Sequence, residues 1–369
     1  MIATNKRRLL DISVYNRGIK SIKEEKELTI HSLGYLDFLD EETNASVIRF
    51  GKNSEQKDNY YLYRYNFKDV LRVLQHINAQ KPAIAIFHGF SFPIRFWLLH
   101  TFFGKKIKWI VQHHAGDPSP NSLKRMVQKW CYSKADRYMF VTKTQAQPFV
   151  KAGIVKSNAQ VAEIMECSTA FTMQDKNECR KQLGLPLEKR IFLWVGNLDA
   201  NKNPMCLLEA IHNLNQSGQD FLLYMFFAKT DLLYEVQQFV EQNQLQEKVF
   251  LKGKIPNNAL ETWYNAADFF ISCSFSEGSG VALAEAMACG CVPIATDIPS
   301  FRHMTANSVA GAIFKTGSSS DLFEKLIAIQ QENLEIERTK ANRVFKEMLS
   351  FEAIGRQTSA LAKEIMHQE

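Results

Sequence analysis

"DFFISCSFSEGSGVALAEAMACGCVPIATD", residues 268–297, reads in order as a buried strand, a glycine-rich turn, a helix and a second strand. The run "DFFISCS" has an apolar centre, Phe269 to Ile271, and short side chains after it, as suits a strand covered on both faces of a parallel sheet. "GVALAEAMA" is built largely of strong helix formers. The turn between them therefore lies at the carboxyl end of a strand and the amino end of a helix, where open α/β sheets bind their ligands. Amide groups and the helix dipole there favour a phosphate, and glycine lets it approach the backbone.

Glu277 and Glu285 nevertheless flank this anion-seeking point, and two carboxylates placed directly on a phosphate would repel it. Eight residues of helix span roughly 12 Å. That separation suits a ligand with a central diphosphate and a neutral polyol on each side, because a carboxylate accepts strongly from sugar hydroxyls. A nucleotide sugar fits, with Glu277 on the transferred sugar, Glu285 on the ribose, and the amides of Ser279, Gly280, Val281 and Ala282 on the diphosphate. A helix-capping turn with two solvated glutamates competes with this, and spacing alone does not separate the two.

Outward from this stretch, strand and helix alternate. Upstream, "IFLWVG" (191–196), "FLLYMFFA" (221–228) and "KVFLKG" (248–253) read as strands, with helices over 203–218, 231–245 and 258–267. "KPAIAIFHGF" (81–90), "KKIKWIVQHHAGD" (105–117) and "DRYMFVT" (136–142) repeat the pattern earlier, with helices over 94–104, 122–135 and 143–153. Strands alternating with helices of this length imply parallel βαβ units. The polar stretch 172–190 has no sustained apolar stripe and reads as a link between two domains. The first 80 residues carry less signal: 26–42 reads as a strand, a turn at Gly34 and a helix, and 45–52 as a strand. Charged helices follow from Asp321 to the end.

Size and composition agree with two domains. The chain has 369 residues, 46% apolar and 23% charged, with 26 Phe, more than one core usually serves. The expected division is 1–165, 166–345, and a C-terminal helix over 346–369 packing back on the first domain. The net charge of +6 suits an anionic ligand or membrane surface better than nucleic acid. Seven cysteines, most in apolar or helical contexts, read as reduced core residues of a cytoplasmic protein. Cys289 and Cys291 have no second pair or histidine at zinc-ligand spacing, and no metal site is expected. No leader is read at the N-terminus, and no run reaches the ~20 apolar residues of a membrane span.

The segment "SEGSGVALAEAMACGCVPIATD", paired with the upstream "FLWVGNLDANKNPMCLLEAI" (192–211), resembles the family 4 glycosyltransferases. The likeness is specific over the C-terminal half, moderate over 81–165 and weak over 1–80. It implies a GT-B fold, α/β, with two Rossmann-like parallel-sheet domains facing a cleft. It further implies retaining transfer from a nucleoside-diphosphate sugar without an obligatory metal or other cofactor. The acceptor would be a glycan or a lipid-linked sugar, as in surface polysaccharide biosynthesis. By position, Gly196, Asn197 and Lys202 match the family's donor-site opening, with Lys202 neutralising the leaving diphosphate. Glu277, Gly278, Ser279, Gly280 and Glu285 match the E-x7-E segment. Gly253 and Lys254 lie where the family's nucleobase packs. His114, or its neighbour His113, matches the histidine that faces the donor sugar, and His88 would border the acceptor side. Asn197 departs from the pattern, since the family carries arginine there. Losing one of two cations from a diphosphate site costs a transition state about 2–4 kcal/mol.

Aromatic residues over 92–110 are interleaved with Arg95, Lys105, Lys106 and Lys108, and 123–130 adds Lys124, Arg125 and Lys129. Such a surface could rest on anionic lipid at the inner membrane face, although the apolar residues are read as mostly core. Two other functions compete with transfer: a nucleotide-sugar epimerase, which the Lys202 and E-x7-E pairing opposes, and a catalytically silent GT-B protein that binds a nucleotide sugar or a partner.

Overall fold

A computed structural model describes residues 6–104 and 106–367. Residues 1–5, which begin the N-terminal segment read above, and Lys105 of the basic cluster lie outside the described residues. The chain forms two compact units, one of Met1–Ser168 with Phe351–Glu369, the other of Thr169–Ser350.

The first unit is built on an eight-stranded sheet. Its strands are β1 (Arg7–Asn16), β2 (Thr43–Gly51), β3 (Glu55–Lys57), β4 (Tyr60–Arg64), β5 (Ile84–His88), β6 (Lys108–Gln112), β7 (Arg137–Phe140) and β8 (Val161–Glu163). Their order is β3-β4-β2-β1-β5-β6-β7-β8, and only β3 pairs antiparallel, with β4. The chain winds one way from β1 to β2 and the other way from β5 to β8, so the order reverses between β1 and β5. Helices Pro93–Phe103 and Lys143–Lys151 follow β5 and β7. The second opens with a capping box, in which the Thr142 hydroxyl accepts from Gln145 N and the Gln145 side chain accepts from Thr142 N. The core holds Phe87, Phe96, Trp109, Tyr132, Tyr138 and Phe149.

The second unit has six parallel strands: β9 (Arg190–Gly196), β10 (Phe221–Phe227), β11 (Val249–Gly253), β12 (Phe269–Ser272), β13 (Val292–Thr296) and β14 (Ala312–Phe314). Their order is β11-β10-β9-β12-β13-β14, which reverses between β9 and β12. β10 and β12 are buried along their whole length, as continuous apolar runs predict.

The structure corrects two local readings and bears out a third. Residues 26–33 form no strand: helices Ile22–Leu28 and Ile30–Leu33 occupy them, the first capped by the Ser21 hydroxyl accepting from Glu24 N. The stretch read as a link contains the helix Lys176–Leu183, capped by Asp175 and ended by Gly184 at φ +66°. Its apolar stripe is short because an arginine anchors it. Arg180 is 1% exposed, bonds Asp268 at 2.8 Å and donates to the carbonyls of Ala266 and Leu187. The apolar residues over 92–110 are mostly core, as read, with Ile107, Trp109 and Ile110 buried as well, but one helix stripe is not. Phe96, Leu99 and Phe103 are buried, whereas Ile94, Leu98 and Phe102 face outward.

Candidate functional site

In each unit the strand order reverses at one place, and open α/β sheets bind ligands outside the carboxyl ends of their strands at such a point. Most of the sequence-expected residues gather at these two points, whereas Gly253 and Lys254 lie at the edge strand β11 and His113 turns into the core.

In the second unit, β9 ends at Gly196 and β12 at Ser272, side by side. Two loops leave these ends and are tied together. Asn201 Nδ2 donates to the Ser276 carbonyl at 3.0 Å, and Phe275 N donates to the Asn201 carbonyl at 2.8 Å. Lys202 is steadied by its own amide, which donates to Asp199 Oδ1 at 3.0 Å. The Lys202 ammonium then pairs with Glu277 Oε1. The Lys202 side chain is 26% exposed and that of Glu277 14%. The Glu277 carbonyl accepts from the Ser300 hydroxyl at 3.2 Å, which anchors the turn from below.

Gly280 is the N-cap of the helix Val281–Ala288 at φ +65°, and no side chain caps this end. A Cβ at Gly280 would lie 2.6 Å from the Phe301 ring. Glycine is thus required twice here, for its backbone angle and for its lack of a side chain. The N-cap residue thus offers the first amides of the helix no side-chain acceptor, an arrangement suited to receiving an anion.

Glu285 lies in the second turn of the same helix and is 3% exposed. Its Oε1 accepts from Asn257 Nδ2 and its Oε2 from the Tyr264 hydroxyl, both at 3.0 Å. Burial and the neighbouring Glu285 charge push the Tyr264 phenol well above its usual range, so it stays a donor. A turn with two solvated glutamates is therefore excluded: one is ion-paired and the other is buried. Gly253 sits at φ +67° at the end of β11 and Lys254 is exposed beside it. Asn197 is half-buried, and its carbonyl accepts from Asp199 N at 2.9 Å.

In the first unit, the crevice between β1 and β5 holds a line of titratable side chains. Asp11, in the middle of β1, is fully buried. His88 Nε2, at the end of β5, lies 2.8 Å from both Asp11 oxygens. His88 Nδ1 lies 2.8 Å from His114 Nε2, and His114 Nδ1 lies 2.8 Å from Glu166 Oε2. Arg49 of β2 bonds Asp11 Oδ1 at 2.5 Å and pairs with Glu25 at 3.2 Å.

Burial holds the His88 imidazole down to about 4, although Asp11 pulls the other way. Burial alone would raise the Asp11 carboxyl, but His88 and Arg49 together hold it well below the usual carboxylate range. His88 is therefore neutral at pH 7. Its Nε2–H donates to Asp11, and its Nδ1 accepts from His114 Nε2–H, a tautomer assigned from the partners. His114 Nε2 is thus engaged within the unit, and its Nδ1 faces the Glu166 carboxylate. His113 turns the other way: its Nε2 meets the Gly116 carbonyl at 2.9 Å and its ring stacks on Phe140, so it belongs to the core. A cavity of about 120 Å³ opens over the line, bordered by Ser13, Tyr15, Thr29, Arg49, His88 and His114.

Sequence reasoning brought His88 and His114 to the correct strand ends but missed Asp11, Arg49, Glu25 and Glu166. They lie far apart in sequence and meet only through the sheet order. It also missed Asn257 and Tyr264, for which the helical spacing carries no chemical sign.

Residues 175–345, most of the second unit, match the family described as glycosyl transferases group 1. A D-inositol 3-phosphate glycosyltransferase of Xylanimonas cellulosilytica is 26% identical over 134 residues, 36% of this chain and 32% of that one. A GDP-mannose:cellobiosyl-diphosphopolyprenol alpha-mannosyltransferase of Xanthomonas campestris is 25% identical over 209 residues, 55% of this chain and 53% of that one. The chain thus spans between a third and about half of the length of these relatives. Among solved structures, the sucrose-phosphate synthase of Thermosynechococcus elongatus superposes with a TM-score of 0.71 at 17% identity, over 99% of this chain and all of that one. The fold is GT-B, with two parallel-sheet α/β domains.

Proposed function

We propose that the chain is a retaining glycosyltransferase whose second unit binds a nucleoside-diphosphate sugar at the β9/β12 switch point. The observation that carries this is the Lys202–Glu277 ion pair set beside a helix end that no side chain caps. An ammonium has three donors. Lys202 can keep Glu277 with one and offer the others to a diphosphate, whose remaining oxygens meet the amides of Ser279 to Ala282. When the bond from the sugar C1 to the diphosphate breaks, negative charge grows on the leaving group. A fixed cation and oriented amides act where that charge develops, in place of a metal ion. Glu277 would then accept from hydroxyls of the transferred sugar. Glu285 would accept from the ribose, its carboxylate held in one orientation by Asn257 and Tyr264.

Asn197 leaves the site one cation short of the family's pattern. Lys229, whose carbonyl accepts from Leu198 N at 3.0 Å beside the same loop, is the candidate for a second positive charge. The acceptor would be a glycan or lipid-linked sugar on the first unit, with the crevice over His88 and His114 receiving its hydroxyls, and with work at the inner membrane face if the acceptor is lipid-linked. The relatives' names, one of them for transfer to a diphosphopolyprenol-linked sugar, support this reading.

The test is release of nucleoside diphosphate from a panel of nucleotide sugars, with and without candidate acceptors. Lys202→Ala should lower kcat/KM by about 10²–10³-fold, the usual loss for one electrostatic donor, and Glu277→Ala should lower it through loss of an acceptor for the transferred sugar. Lys229→Ala should cost less, and chelators should change nothing. Turnover equal in wild type and Lys202→Ala would remove Lys202 from the mechanism. No turnover with any donor, despite nucleotide binding, would favour a silent binder, which the Asn197 replacement already makes the second reading.

A further inference from the structure

Helices Pro93–Phe103 and Ser122–Tyr132 pack side by side in the first unit, and the Trp97 and Trp130 rings lie 5.1 Å apart between centroids. The first helix splits its apolar residues between two faces. Phe96, Leu99 and Phe103 enter the core, while Ile94, Leu98 and Phe102, four residues apart, lie on the outward stripe. The second helix presents Leu123, Met126 and Trp130 at matching helical spacing. All six outward side chains are between 45% and 64% exposed. Six large apolar side chains gathered on two neighbouring helices exceed the scattered exposure usual on a monomer's surface, and such a patch marks an interaction face.

Charge identifies what the face fits. Residues 89–135 hold eight Lys and Arg against one acid, Asp117, a local charge of +7, so the rest of a chain of +6 carries −1. Lys106, Lys124, Lys129 and Lys134 of this stretch are exposed, and the Lys134 ammonium lies 5.6 Å from the Trp130 ring centre. The next acid in sequence, Asp136, is occupied in accepting from Trp109 N at 2.7 Å. Arg95 is not part of the face, since it donates to the Val14 carbonyl and stacks on Tyr65 and Phe92. Aromatic and aliphatic side chains ringed by lysines match a bilayer interface, where tryptophan sits at headgroup depth and lysine meets anionic headgroups. No helix among the described residues is long and apolar enough to cross a membrane.

We infer that this two-helix face docks the protein peripherally on an anionic lipid surface, with Leu98, Phe102, Met126 and Trp130 entering the interface and Lys124, Lys129 and Lys134 meeting the headgroups. This goes beyond the transferase reading and does not depend on it, since docking needs no donor sugar.

The test is co-sedimentation of the full chain with vesicles of phosphatidylglycerol and phosphatidylcholine in equal parts, against vesicles of phosphatidylcholine alone. The chain should pellet with the anionic vesicles and stay in solution with the neutral ones. Each lysine replaced by glutamine among Lys124, Lys129 and Lys134 should weaken binding roughly fivefold at low salt. Phe102→Ser with Trp130→Ser should weaken it at every salt concentration, because insertion is not screened. Unchanged thermal midpoints check that these exposed substitutions leave the fold intact. Equal partition onto both vesicle types, or undiminished binding by the Phe102/Trp130 variant, would overturn the inference. So would a stable dimer in sedimentation equilibrium that the same two serines dissolve, since the face would then belong to a second copy.

Discussion

His88 touches Asp11 on one side and His114 on the other while only 4% exposed, and this has a cost that depends on pH. Its imidazole is held down to about 4 by burial, against about 6.5 in an unfolded chain. Between those values the unfolded state binds more protons, so stability falls as pH drops from about 6.5 towards 4, by about 3 kcal/mol in all. Asp11 adds to the loss only at lower pH: its carboxyl is depressed, so its contribution is present above about 3.9 and disappears below. Urea unfolding of the first unit at pH 7 and pH 4.5 should therefore differ clearly in wild type. His88→Asn should flatten the dependence over that range. A wild-type midpoint that does not move between pH 6.5 and 4.5 would show that His88 is not held neutral. At this scale the sequence was legible where a residue sat in a motif, as Lys202 and Glu277 do. It was silent on Asp11, because a single aspartate in a strand has no spacing to read.

At the scale of the element, the turn before the helix Val281–Ala288 is the most constrained piece of the donor site. Gly280 has φ +65°, and a side chain there would strike Phe301. Gly280→Ala should destabilise the second unit by about 1–3 kcal/mol through backbone strain and overlap. Gly280→Ala combined with Phe301→Leu should regain the part due to overlap and leave the part due to φ. Thermal unfolding of the two variants measures both parts, and a Gly280→Ala midpoint equal to wild type would contradict this geometry. Elements were legible where burial made the pattern continuous, as in β10 and β12. β1 was missed for the opposite reason. "RRLLDISVYN" is the central strand of its sheet, but Asp11 and Ser13 interrupt its apolar run with buried polar groups. The helix Lys176–Leu183 was missed because Arg180 fills a core position that periodicity assigns to an apolar residue.

At the scale of the whole molecule, the two sheets share one design. Each reverses its strand order once, and each gathers titratable side chains at that reversal, Asp11, His88 and His114 in one and Lys202 and Glu277 in the other. The alternation of strands and helices was enough to read two parallel sheets. The order of strands within them was not legible, because it is decided by crossovers between segments far apart in the chain. For the same reason the charged line in the first unit stayed hidden until residues 11, 49, 88, 114 and 166 were brought together.

The central claim is that the second unit holds a nucleoside diphosphate through Lys202. Titration calorimetry of the intact chain with UDP, GDP, ADP and CMP tests it most directly. One diphosphate should bind, and its affinity should fall by about tenfold or more in Lys202→Ala, as for loss of a charge-assisted contact of about 1.5–3 kcal/mol. Binding of equal strength by wild type and Lys202→Ala, or no binding of any of the four at millimolar concentration, would contradict it.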